Sequence, residues 1–156
     1  MQTETSGEKG KVYWPKYGAF LHFKESELAC KCGCGLNNAT SGLLFCLEEI
    51  HTAVNPPNTP TPTPVIIRSA CRCPKHNAAV GGAPNSQHLR GCAADIHVPG
   101  RSAAELEAIA SGTHDIHGIG VPDVGDWIHA DVRRAPIIVR WRYDRHGREK
   151  PWDKET

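Results

Sequence analysis

Residues 86–95 read S-Q-H-L-R-G-C-A-A-D, with His88 and Asp95 seven positions apart. Imidazole and carboxylate are both metal ligands, and Gly91, Cys92, Ala93 and Ala94 between them are small. A metal centre needs donors held by backbone with little bulk between them. Gly91 permits a tight bend, and the alanines let another strand come close. A third donor, His129, is available in the run D-W-I-H-A-D at residues 126–131. Two imidazoles and one carboxylate form a three-ligand set whose fourth position can stay open to water. That is the pattern of catalytic rather than structural zinc. One catalytic Zn2+ held by His88, Asp95 and His129 is therefore expected.

The chain has nine histidines, so competitors exist. His97 shares a strand face with Asp95 in the expected register. His114 and His117 flank a glycine-containing segment. These three are read as surface or supporting residues. His22, His51, His76 and His146 have no partner at a telling spacing.

Elements to position the donors can be read around them. Leu43, Leu47, Ile50 and Val54 form one apolar stripe and predict a helix over residues 41–54, capped by Thr40 or Ser41. Residues 55–64 carry five prolines and are expected as an extended surface loop. Residues 64–67 open a short β-branched strand. Pro74 starts a short helix that Gly81 and Gly82 end. Residues 93–98 alternate as a strand carrying Asp95, and residues 127–132 as a strand carrying His129. Adjacent antiparallel strands can hold two such side chains about 5 Å apart on one face. Ser102 followed by Glu105 caps a helix that Gly112 closes. Residues 116–121 and 137–143 are two further strands. A short helical turn is expected at residues 23–28. Helices and strands do not alternate regularly, which predicts an α+β fold: a small antiparallel sheet with helices packed on one side. Residues 1–17 are expected to be loosely ordered, residues 18–143 to form the domain, and residues 144–156 to be a charged tail.

The pattern S-x-H-x-x-G-x-A-x-D followed by D-x-x-H resembles the zinc D-Ala-D-Ala carboxypeptidases. Their relatives include the vancomycin-resistance dipeptidases and phage L-Ala-D-Glu endolysins, and the group has a Hedgehog/DD-peptidase fold. The likeness spans about residues 23–133. It implies a zinc metallopeptidase cutting a peptidoglycan stem peptide beside a D-amino acid, either as a carboxypeptidase or as an endopeptidase. It makes Asp126, three residues before His129, the general base. Asp131 is the rival, with orienting a ligand or pairing with Arg133 as its other role. Arg72, in S-A-C-R where the family has S-G-x-R, would stabilise the oxyanion or hold a substrate carboxylate. Asn77 would fix a loop, and Ser86 would meet substrate or cap. A non-catalytic zinc-containing binding or signalling module is the alternative within the same fold.

A formal charge of +1 gives no reason to expect a nucleic-acid partner, and no apolar run is long enough to span a bilayer. A monomer is expected. The first eleven residues lack an apolar signal core, so synthesis in the cytoplasm is expected, with action on the cell wall after export or lysis. This leans toward a phage-derived enzyme. Seven cysteines are many for such a chain. Cys30, Cys32 and Cys34 lack the C-x-x-C spacing usual for structural zinc. Buried thiols, with at most one tie between that cluster and Cys71/Cys73, are expected, and Cys46 and Cys92 as core residues.

Overall fold

The computed structural model describes residues 22–153; the N-terminal segment expected to be loose lies outside them. Among the described residues, four helices pack with one sheet. Helix α1 (Glu25–Leu28) is a single turn whose start is tied by Glu27 accepting from the Lys24 N–H. Helix α2 (Ser41–Val54) has the expected bounds, and Thr40 Oγ1 accepts from Leu43 N at 3.3 Å. Its stripe is buried. The proline-rich loop that follows is pinned at its two ends by Asn55, which donates to Thr63 O (2.8 Å) and accepts from Thr63 N (2.6 Å). Strand β1 (Ile66–Ser69) leads to α3 (Pro74–Ala79), where proline at the first turn leaves no N–H unsatisfied. A 3₁₀ turn (Gln87–Arg90) precedes β2 (Ala93–His97). Helix α4 (Ala103–Ser111) is capped by Ser102 Oγ, which accepts from Glu105 N. Strands β3 (Gly118–Pro122), β4 (Trp127–Asp131), β5 (Val139–Tyr143) and β6 (Glu149–Pro151) complete the elements of the described residues.

The six strands lie in the order β1-β2-β4-β3-β5-β6. The α+β class stands, but the sheet is mixed, because β3 and β5 run parallel. Strand β4 has both edges occupied by β2 and β3, so β5 must take the outer edge of β3. It runs opposite to β4 and hence along β3.

The expected charged tail forms structure as far as Pro151. Asp144 accepts from the N–H groups of His146 (2.8 Å) and Arg148 (3.0 Å), turning the chain so that β6 pairs with β5. Several of its charges are engaged: Lys150 pairs with Asp123, which Arg142 of β5 also holds, and Arg148 pairs with Asp144.

Strand alternation gives the sheet two unlike faces. Ile67, Ala94, Ile96, Ile119, Val121, Ile128 and Ala130 belong to the buried core with α2 and α4. The alternate positions bear Asp95, Trp127, His129, Asp131, Trp141 and Tyr143. Gly118 and Gly120 fall on this second face, where a Cβ would overlap the Asp131 carboxylate and the Trp141 and Tyr143 rings respectively. The glycines of β3 thus let side chains from both neighbouring strands lie over it.

All seven cysteines are free, so no disulfide joins the two clusters. Cys46 is buried as expected, but Cys92 is only half-buried, where its strand meets the exposed turn. Among the described residues no helix is long and apolar enough to cross a membrane.

Candidate metal centre

Asp95 and His129 are direct cross-strand partners in the β2–β4 register. Asp95 Oδ1 lies 3.1 Å from His129 Nδ1 and 3.2 Å from His88 Nε2. One donor atom from each residue can be chosen such that all three lie within 4.8 Å of one another. The expected donors therefore converge.

Each donor is oriented by its local backbone. His88 sits in the 3₁₀ turn, with its own N–H donated to Ser86 Oγ at 3.2 Å, so Ser86 acts as the cap. The turn ends at Gly91, whose φ of +66° and approach to the Asn38 carbonyl exclude a side chain. His88 Nδ1 lies 2.7 Å from the carbonyl of Ala70, which requires N–H there and leaves Nε2, the nitrogen that faces Asp95, as the one available to a metal. His129 is held the opposite way round. Its Nε2 meets Asp131 Oδ2 at 2.7 Å, which leaves Nδ1 for a ligand.

Asp131 is fully buried and grips Arg133 through paired bonds of 2.8 and 2.7 Å. This is the orienting and pairing role that was its alternative to general base. Arg72 donates to Ser69 Oγ (3.1 Å), Asn77 Oδ1 (3.3 Å) and Asp95 Oδ2 (3.3 Å). Among the described residues these bonds use three of its five N–H groups, so two remain for a ligand. Asn77 also donates to Ala83 O, fixing the loop after α3.

The donors open on a cleft of about 690 Å³ bordered by Arg72, Trp127, Arg133, Trp141, Tyr143 and the β5–β6 turn. Asp126 does not border it. Its side chain is exposed just before β4 begins, and its carbonyl receives His97 Nδ1 at 2.7 Å. Strand alternation puts residues 127, 129 and 131 on the cleft face, whereas Asp126 lies in the bend that precedes β4. Gly125, at φ +117°, belongs to the same bend. Among the described residues, the carboxylates that border the cleft are Asp95 and Glu149. The aromatic wall and Glu149 were missed by sequence reasoning. The W-x-Y spacing at residues 141 and 143 was the available signal, since alternate strand positions share a face. Of the other histidines, His146 borders the cleft at the β5–β6 turn, whereas His51 stacks on His22 at 3.7 Å and His114 faces Glu49. Arg68 stacks over Trp127, 5.2 Å from the ring centroid.

The electrostatics follow from these contacts. Burial alone would push Asp95 up, but hydrogen bonds from His129 and His88 hold its carboxyl well below the usual range. Burial likewise opposes the charged form of Asp131, yet Arg133 and His129 hold that carboxyl low. For His129, burial works against the imidazolium, but Asp131 and Asp95 raise it to about 9. In the metal-free protein these groups form a charged cluster with a definite pH window. The His129 contribution to stability is fully present below about pH 6.5 and is lost as pH rises through about 9. The Asp95 and Asp131 contributions are present above about pH 4 and are lost as pH falls through their lowered values. Urea unfolding of the chelated protein should therefore show lower stability at pH 9 than at pH 6. With zinc present the alkaline loss should shrink, because the metal replaces the displaced proton. Equal stability of the chelated protein at both pH values would count against this cluster.

Two buried imidazoles and a carboxylate beside an open cleft are the arrangement a catalytic metal site needs. The profile of the family described as Peptidase M15 matches residues 21–131. That is well over half of the chain, and the chain belongs to this family, that of the zinc D-Ala-D-Ala carboxypeptidases. It is thus a peptidase of a zinc-dependent family. No curated protein matches the chain.

Proposed function

We propose that the chain hydrolyses a peptide bond beside a D-amino acid in peptidoglycan stem peptides, with zinc at His88, Asp95 and His129. The convergence of those three donors at the floor of the cleft carries this reading, together with family membership. The donor set fits zinc: two imidazoles whose far nitrogens are held by Ala70 O and Asp131, and one carboxylate within 3.2 Å of both. When bound, zinc supplies Lewis acidity toward a carbonyl and lowers the pKa of water.

The chain's own groups do the rest. Arg72, already held by Asp95 and Asn77, points its remaining N–H groups at a substrate oxygen and steadies developing negative charge. Trp127, Trp141 and Tyr143 wall one side of the cleft and exclude water from the bound peptide. Glu149 takes the place expected of Asp126 as proton acceptor, because it borders the cleft and Asp126 does not. Asp131 cannot serve, since Arg133 and His129 consume its oxygens. Reaching a wall substrate requires export or lysis.

The test is digestion of purified peptidoglycan, followed by mass spectrometry of the released muropeptides. Chelator-sensitive release of fragments cut beside D-Ala or D-Glu is expected. Asp126→Ala should keep most of the activity, and Glu149→Gln should lower kcat about 10²-fold or more, as for removal of a positioned base. Zinc bound at the cleft without any cleavage would favour the binding-module alternative. Loss of kcat in Asp126→Ala alone would return the base to that residue.

A further inference from the structure

Cys30, Cys32, Cys34 and Cys73 bring their four sulfurs within 4.8 Å of one another. The gathering joins residues far apart in the chain, Cys32 and Cys73 being 41 positions apart: Cys32 Sγ is 3.7 Å from Cys73 Sγ and 3.4 Å from Cys30 Sγ. Disulfide sulfurs would stand about 2.05 Å apart. Four sulfurs at the corners of a tetrahedron around zinc, with Zn–S of about 2.3 Å, stand about 3.8 Å apart. The observed spacing matches the second geometry.

The backbone is built for it. Cys30 N donates to Leu36 O at 2.8 Å, closing residues 30–36 into a loop. Gly33 and Gly35, both at φ +84°, turn the chain so that alternate residues present their sulfurs to one point. This is how C-x-C-x-C escapes the usual spacing rule. Two main-chain N–H groups are spent on sulfur: Cys73 N on Cys30 Sγ (3.4 Å) and His76 N on Cys73 Sγ (3.3 Å). Such donors stabilise thiolates, the form a metal binds.

We infer that Cys30, Cys32, Cys34 and Cys73 form a tetrathiolate site for a structural zinc ion, separate from the centre at His88. Its function is positional. Cys73 caps α3 and directly follows Arg72, and Cys71 N is bonded to Leu28 O at 3.0 Å. A metal at this point clamps the 30–36 loop to the segment that carries Arg72. It offers no fourth position open to water, so it takes no part in chemistry.

The experiment is metal analysis of the full chain purified under reducing conditions with zinc. Two zinc ions per chain are expected, falling to one in Cys34→Ser and in Cys73→Ser and staying at two in Cys46→Ser. Cobalt loading should give thiolate charge-transfer absorption in the near ultraviolet that survives His129→Ala and vanishes in Cys73→Ser. Should the serine variants fail to fold, alkylation of the wild-type chain gives the same answer: these four thiols should be protected with zinc and reactive after chelation. Equal alkylation in both states would overturn the inference, as would cobalt protein without sulfur absorption, or a native mass showing a Cys32–Cys73 disulfide. Iron in the isolated protein would overturn the zinc assignment. Each readout is independent of whether the chain cleaves peptidoglycan.

Discussion

His129→Ala should leave a folded protein that has lost one equivalent of zinc and its peptidase activity. The ring supplies the donor opposite Asp95 on the neighbouring strand, and the imidazole that borders the cleft besides His88, that of His146 on the β5–β6 turn, is not one of the gathered donors. Two donors cannot hold the metal as three do. The missing electrostatic stabilisation is several kcal/mol, a rate loss of about 10³ or more. Folding should survive, because Asp131 keeps its paired bonds to Arg133 when the ring is gone. Zinc content by mass spectrometry, kcat/KM on stem peptide and the thermal midpoint separate these effects. Unchanged zinc content with full activity would remove His129 from the centre.

Asp131→Ala should cost both stability and metal affinity. The carboxylate is fully buried, and it satisfies Arg133, the Arg133 main-chain N–H and His129 Nε2. Removing one partner of a buried pair costs about 3–5 kcal/mol. Arg133 keeps 28% of its side chain exposed and can turn toward water, which puts the expected cost at the low end, about 3 kcal/mol. Without its acceptor, the His129 ring loses its fixed tautomer, and zinc affinity should fall about 10–100-fold. Asp131→Asn, which keeps an acceptor oxygen, should lie between the variant and the parent. Urea unfolding and chelator competition measure the two effects. A stability change below about 0.5 kcal/mol, the range of ordinary surface substitutions, would show that the Asp131 network does not support the centre.

The donors were legible because each stands on an element with its own local signal. Small residues surround His88 and Asp95, and alternation marks the strands of Asp95 and His129. Once those strands pair in register, the two residues face each other without further information. Asp126 was chosen by its spacing from His129, and spacing along a chain does not show which way a residue in a bend will face. The β5–β6 wall was hidden for a different reason. Strand β6 is a three-residue edge strand made of E-K-P, whose placement depends on the Asp144 turn and on pairing with Asp123 rather than on an apolar pattern. The parallel β3–β5 pair is likewise non-local, since it follows from which sheet edges are already occupied. The cysteine cluster was discounted on spacing alone, and only the left-handed turns at Gly33 and Gly35 show how adjacent thiols come to share a centre.

The most direct measurement is anomalous diffraction at the zinc edge from crystals of the zinc-loaded chain. A peak in contact with His88 Nε2, Asp95 and His129 Nδ1 is expected, with the remaining side facing the cleft beneath Trp141 and Tyr143. No peak at that point, or His88 and His129 turned away from each other, would contradict the metal centre and the peptidase reading built on it.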